Sequence, residues 1–437
     1  MPTTTHLWPA VAIAIAIAAF QPAEAATFAD AKFSEIVVAT NLNPTAMAIA
    51  PDSRIFVCSK SGALRVVKNG ALLAKPFVTL PVITASEQGL IGVTCHPNFP
   101  ESAFVYVYYT LTGPEHNRIS RFRVDGDTAL GGLGGEKIIF DLDPTTAANH
   151  NGGAIHFGND GKLYASIGNS ASSANSLSMT TTLGKILRLN PDGSIPTDNP
   201  FVGQTTGKAQ AIWCAGMRNT FTFDVDKVSG RIFGAEVGDG WEEVNELQAG
   251  SNYGYGRQEG YTVPTNTTGI VGTFRPAIYA YNTGGCIIAA AFYPGPGVRN
   301  FPADFQRKFF FADHNNGYIK IMDMENPKTV VDFATAAQNP VDIKFSADGT
   351  LYYLNRGQTG GSLLKVTYAG GPVGMRAASA DRRHAAGWRL ALAQNGRLVD
   401  PGSHTPALVL DAQGKAVANT LLRPGSTPQG IYYVKDR

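Results

Sequence analysis

Residues 160–166 read D-G-K-L-Y-A-S, and residues 184–189 read G-K-I-L-R-L. The first is a turn followed by a short apolar strand. The second is a glycine turn followed by a strand carrying Lys and Arg. The pair recurs along the chain: D-S-R-I-F-V-C with G-A-L-R-V-V from Asp52, and S-A-F-V-Y-V-Y-Y with R-I-S-R-F-R-V from Ser102. It returns as S-G-R-I-F-G-A with W-E-E-V-N-E-L from Ser229, R-K-F-F-F-A-D with G-Y-I-K-I-M from Arg307, and D-G-T-L-Y-Y-L with G-S-L-L-K-V from Asp348. Strands this short cannot bury a face alone, so the core must come from packing each unit on the next. Units of about four strands arranged radially make a β-propeller, which protects its sheet edges. Six units predict an all-β, six-bladed propeller over residues 26–369, with long loops where the spacing stretches. A two-sheet sandwich would leave the recurrence accidental.

Composition agrees. The 437 residues include 48 Gly, 26 Pro, 23 Phe, 16 Tyr and 4 Trp, and only 16% are charged, for a net charge of +2. Collagen needs Gly at every third position and a coiled coil needs dense charge with little Pro, so both are excluded. The aromatic content can bury a large core, which argues against bulk disorder.

The two ends read differently from the repeats. Ala10 to Phe20 is an uncharged apolar run, and Ala23-Glu24-Ala25 fits a small-x-small cleavage site, although no Lys or Arg precedes it. Residues 1–25 are read as a secretory signal, too short to span a bilayer. The expectation is a periplasmic or secreted protein without a transmembrane segment. Beyond Tyr368, A-G-G-P-V-G opens a linker, and residues 371–437 carry nine Lys/Arg against four Asp. Strand signals at W-R-L-A-L-A, A-L-V-L-D-A-Q-G-K-A-V and G-I-Y-Y-V predict a small sandwich-like β module within 370–437. Its ending T-P-Q-G-I-Y-Y-V-K is similar to C-terminal sorting domains of type IX-like secretion, which implies attachment at the cell surface. The dispersed basic charges lack aromatic interleaving, so no nucleic-acid partner is expected. Cys58, Cys95, Cys214 and Cys286 show no C-x-x-C spacing, which disfavours zinc. Export permits disulfides, but at least two of the four are expected as buried free thiols.

Propeller chemistry sits on loops around the central channel. Four loops carry polar groups that β-propensity does not explain. Asn149-His150-Asn151-Gly152-Gly153 offers a histidine, suited to taking a proton near neutral pH, beside two glycines that permit close backbone approach. Gly216-Met217-Arg218-Asn219 offers a carboxylate or oxyanion partner. Gly238 to Glu243, followed by Tyr253, offers carboxylate and carbonyl oxygens of the kind that bind Ca²⁺, without EF-hand spacing. Glu87-Gln88-Gly89 places an amide in a tight turn. Taken singly, each is also explained as a turn residue or a surface ion pair; His156, inside a strand, reads as structural.

Together the segments are specific. E-Q-G-L-I-G-V-x-x-H-P-N-F, H-N-G-G-x-x-x-F-G-x-D-G-K-L-Y, L-G-K-I-L-R-L-N-P-D-G-S-I-P-x-D-N-P-F, G-M-R-N and V-G-D-G-W-E-E-V-N-E-L-x-x-G-x-N-Y-G-Y occur in this order. Over residues 35–368 the chain resembles the glucose/sorbosone dehydrogenase family of soluble aldose dehydrogenases that use pyrroloquinoline quinone (PQQ) on six-bladed propellers. The resemblance implies PQQ and Ca²⁺ as cofactors, a small-molecule sugar as substrate and a separate electron acceptor. It assigns His150 as proton acceptor, Arg218 over the quinone with Asn219 beside it, and Gln88 at the cofactor. It assigns Glu243 and the Tyr253 carbonyl to Ca²⁺, and Arg356 to the PQQ carboxylates. In such enzymes the cofactor carries the redox chemistry, while the protein supplies base, charge and orientation.

The chain also departs from the family pattern. L-Y-A-S-I-G-N ends in Asn169 where the family has an Asp supporting the histidine, so the base keeps an acceptor and loses a charge. Thr220 replaces a usual Pro. G-C-I-I-A-A-A-F-Y lacks two usual glycines, and Asn315 stands where relatives often pair a Cys with the position of Cys286. The alternative reading is a non-catalytic extracellular binding propeller, as in the related Hedgehog-interacting protein; a calcium-dependent hydrolase propeller is a third.

Overall fold

The computed structural model describes residues 25–370 apart from 283, 296, 297, 299, 358 and 359. In the tail it describes the strand backbones at 388–394, 397–399, 408–410, 416–418 and 431–435. The signal reading of residues 1–25 lies, but for Ala25, outside the described residues. The chain divides into two compact units at Val373/Gly374, close to the expected linker.

Six sheets fill residues 27–368: two of four strands, three of five and one of six. Their first strands are Pro44–Ile49, Leu90–Cys95, Gly152–Phe157, Thr220–Val225, Ile287–Phe292 and Pro340–Phe345. Each packs against the next, and the last packs against the first. This is a β-propeller arrangement. Five of the sheets take four strands in chain order, although Ser251–Asn252 and Thr273–Phe274, between the third and fourth strands of the Thr220–Val225 sheet, join the preceding sheet. The sixth has only three of its own, Pro340–Phe345, Leu351–Asn355 and Ser362–Tyr368, and takes its fourth from Phe33–Ala39 near the N-terminus. The expectation of six blades from six recurring units is thereby corrected: five are complete, and the unit beginning at Asp348 is incomplete until the N-terminal strand closes it. Phe33 secures that closure, packing edge-on against Phe301 at 4.8 Å and Phe333 at 5.0 Å between ring centroids.

The repeat quoted above forms the second and third strands of one sheet, paired antiparallel from Leu163↔Leu189 to Ile167↔Lys185. Second strands are enclosed by neighbouring sheets on both faces. Ile55–Ser59, Leu163–Ile167 and Ile232–Glu236 are buried at every residue, which explains why they read as continuous apolar runs rather than alternating ones. Outer strands alternate, as in Ala63–Lys68.

Met47, Ile91, Ile155, Phe221, Ile288 and Val341 line the channel, where about 20 Å³ of space remains. Among the described residues no helix is long and apolar enough to cross a membrane. All four cysteines are free, and Cys58 and Cys214 are buried. The tail forms one five-stranded antiparallel sheet in the order Arg397–Val399, Trp388–Gln394, Ile431–Lys435, Leu408–Leu410, Ala416–Ala418. A second layer, as a sandwich would require, is absent among the described residues.

Candidate active site

The innermost strands all begin at the same end of the channel, so residues just before them converge. Glu87, His150, Arg218 with Asn219, and Cys286 occupy that position in four successive sheets. With Val237 to Gly240, Glu242, Tyr281 and Asn315 they line a cleft of about 350 Å³. A larger cavity of about 640 Å³, around His96, His156, Asp224 and Lys344, opens at the other end of the strands.

His150 sits in left-handed backbone at φ 57°, an uncommon conformation for a non-glycine residue. Close packing imposes it. A Cβ on Gly168 would lie 2.0 Å from the His150 carbonyl oxygen, and one on Gly152, itself at φ 65°, would lie 2.5 Å from Ser166 O. The H-N-G-G glycines therefore let two turns interlock. In that lock His150 Nδ1 lies 2.9 Å from Asn169 Oδ1, and Asn169 Nδ2 donates to Ser176 Oγ at 3.0 Å. The amide thus stands with its oxygen toward the ring and its nitrogen on the Ser176 hydroxyl. Nδ1 then carries the proton, and Nε2 is left as the basic nitrogen. Burial lowers the His150 pKa below its ordinary value; the Asn169 bond acts against this, while the Arg218 charge lowers it further. On balance these surroundings favour the neutral ring.

Arg218 is held by its own surroundings. Nη1 donates to Val237 O at 2.9 Å, Nε to the Tyr255 hydroxyl at 3.3 Å, and Nη2 lies 3.8 Å from Asp239. Its carbonyl accepts the Asn169 backbone N–H at 2.8 Å, so base and guanidinium share a frame. Asn219 borders the cleft but is spent as a brace. It is buried, its Oδ1 accepts the Gly152 N–H at 3.0 Å, and its Nδ2 reaches Glu87 at 3.1 Å.

Gln88 is fully buried and bonded through Nε2 to Glu115; its neighbour Glu87 is the one that lines the cleft. Arg356 donates from Nε to Pro44 O at 2.9 Å and does not line the cleft. Its charge opposes Lys60, whose pKa is lowered by burial and then by Arg356. Glu87 acts the other way on Lys60, while Arg356 has no ion pair among the described residues, which fits an anionic group beside it.

No hydrogen bond or ion pair joins Glu243 and Tyr253. Glu243 accepts the Gly260 N–H at 2.5 Å and Asn245 Nδ2 at 3.0 Å, and the Tyr253 hydroxyl donates to Glu246 O at 2.5 Å. Burial raises the Glu243 carboxyl to about 8, and Glu236 and Glu242 to about 7. The buried Asn245 Oδ1 has no partner. A buried carboxylate beside an orphaned acceptor oxygen fits a hard cation. No cluster of three His, Cys, Asp or Glu side chains suited to a metal occurs among the described residues, so backbone and amide oxygens would have to complete the set.

Sequence reading missed Glu87, Lys60, Tyr281 and Ser176. Glu87 was available, since it directly precedes the chosen Gln88. Tyr281 ends an outer strand, Tyr279–Tyr281, and no motif marks it. Asn315 does stand by the Cys286 turn, donating to Gly284 O and Gly285 O at 3.3 Å.

The Glucose / Sorbosone dehydrogenase family profile matches residues 42–365. The aldose sugar dehydrogenase of Escherichia coli K12 is 28% identical over 342 residues, covering 74% of this chain and 90% of that protein. The quinoprotein glucose dehydrogenase B of Acinetobacter calcoaceticus is 27% identical over 288 residues, covering 55% of this chain and 56% of that one. Among solved structures, the apo-form of the E. coli soluble aldose sugar dehydrogenase superposes with a TM-score of 0.67 at 25% identity, covering 77% of this chain and 99% of that one. The PQQ-bound aldose sugar dehydrogenase of Streptomyces coelicolor shares the fold, with a TM-score of 0.64 at 22% identity over 77% of this chain and 99% of that one. The chain is therefore a member of the glucose/sorbosone dehydrogenase family.

Proposed function

We propose that this protein is an exported quinoprotein that oxidises an aldose or related sugar hydroxyl, on a propeller we count as six-bladed. The observation that carries this reading is one cleft holding a histidine bonded at Nδ1 to an amide oxygen, beside a fixed guanidinium. His150 Nε2 would take the proton from the sugar hydroxyl oxygen as hydride leaves the carbon that bears it. Asn169 would stabilise the imidazolium only as a dipole. Arg218 would hold negative charge opposite the base. Arg356 and Lys60 would meet the carboxylates of PQQ, and Glu243 with Asn245 would bind Ca²⁺. PQQ, when bound, would supply the two-electron acceptor. The family assignment and the quinoprotein relative support the cofactor.

Binding is tested by titrating the protein with PQQ, with and without Ca²⁺, and following quinone absorbance and thermal stability. Saturable binding strengthened by Ca²⁺ is expected. No binding of PQQ in either condition would favour the non-catalytic binding propeller.

A further inference from the structure

The L-G-K-I-L-R-L segment contains a lysine that sugar oxidation does not use. Lys185 is completely buried in a strand whose other residues are buried as well. Its Nζ donates to three carbonyls: Asn175 at 2.6 Å, Leu183 at 2.8 Å and Ser176 at 3.1 Å. No carboxylate touches it. Three acceptors require three N–H groups, which only the ammonium form has. Burial pushes the pKa down to about 7, against the opposing influence of Cys214 and then Asp143, neither of which bonds to the ammonium.

A buried lysine spent on main-chain carbonyls is costly unless the carbonyls matter. Two of them belong to the one-turn helix Ser173–Leu177, which is too short to hold its shape alone. Gly216 N–H also donates to Ser176 O, at 3.1 Å, so the same carbonyl fixes the chain leading to Arg218. Ser176 is fully buried, and its hydroxyl accepts the Asn169 Nδ2 bond described above. Asn175 Nδ2 donates to Asn169 O at 3.0 Å. The turn thus grips Asn169 at its side chain and its backbone, and Asn169 grips the imidazole.

We propose that Lys185 is a positioning residue for His150, acting through the 173–177 turn, Ser176 and Asn169 to fix the orientation and tautomer of the ring. The proposal rests on His150 being the base, but its test needs neither PQQ nor sugar. The full-length protein is compared with Lys185→Met and Ser176→Ala by NMR of ¹⁵N-histidine, reading the His150 tautomer and titration midpoint alongside a thermal melt.

Wild type is expected to hold the proton on Nδ1. Ser176→Ala removes only the hydroxyl link; it is expected to mix the two tautomers and lower the midpoint by about half a pH unit, the worth of one hydrogen bond, with little change in melting. Lys185→Met is expected to do the same and to melt earlier. If Lys185→Met melts earlier, or fails to fold, while Ser176→Ala leaves tautomer and midpoint at wild-type values, the lysine is merely structural and the proposal is overturned. Failure of PQQ or sugar turnover with the tautomer shift present would instead overturn the enzyme reading alone.

Discussion

Replacing Asn169 with Asp puts a carboxylate where the structure has an amide oxygen 2.9 Å from His150 Nδ1. The existing partners suit it. Ser176 Oγ can turn to donate, and the ring N–H already points at the oxygen. With charge centres about 4 Å apart and an effective dielectric near 20, the attraction for imidazolium is at most about 4 kcal/mol. Residue 169 is only 1% exposed, so desolvation of the new carboxylate offsets part of this. A rise of roughly 1–3 units in the His150 pKa follows, from a starting point that burial has lowered. About half of that rise is expected in the rate of proton abstraction, or roughly tenfold in kcat above the new pKa. Because the neutral ring is the base, the acid limb of the pH–rate profile moves to higher pH. The variant gains at pH 8–9 and gains less, or loses, near pH 5. The assay is kcat from pH 5 to 9 with saturating PQQ and Ca²⁺, beside the imidazole titration without cofactor. An unmoved acid limb together with an unmoved imidazole midpoint would refute the assignment of Asn169 as partner of the base.

Arg218→Ala removes a guanidinium whose side chain is 14% exposed; PQQ affinity or turnover should fall by about 2–5 kcal/mol equivalent, measured by titration and steady-state kinetics. Phe33→Ala removes the ring that secures the closing strand and should cost about 3–5 kcal/mol in chemical denaturation, with the PQQ site retained in the folded fraction. A chain ending at Ala369 should fold and keep the cofactor and sugar activity of the full chain, because the compact units divide at 373/374; loss of the cooperative melt would show that the tail completes the propeller.

The recurring units were readable because second strands, enclosed on both faces, are apolar over most of their length. Closure was not, because Phe33–Ala39 carries no repeat signal and gains its place only when Phe33 finds the aromatic cluster around Phe301 and Phe333. His150 and Arg218 could be placed from their motifs since both immediately precede innermost strands. Gln88 and Glu87 could not be told apart on that basis: they are adjacent, and which one turns inward depends on Glu115 in the neighbouring strand connection. The Glu243–Tyr253 pairing followed from resemblance, whereas Asn245 Oδ1, two residues along the same strand, shows itself only when its lack of a partner is visible. The Lys185 cage was equally hidden, because its acceptors are main-chain carbonyls with no signature in the residue types.

The most direct test is a single reconstitution: the full-length protein with PQQ and Ca²⁺, a panel of aldoses, and quinone absorbance followed anaerobically. Reduction of the bound quinone by at least one aldose, lost in His150→Ala with PQQ still bound, is the expected result. PQQ bound firmly but left oxidised by every aldose, or reduced equally well without His150, would contradict sugar oxidation at this cleft.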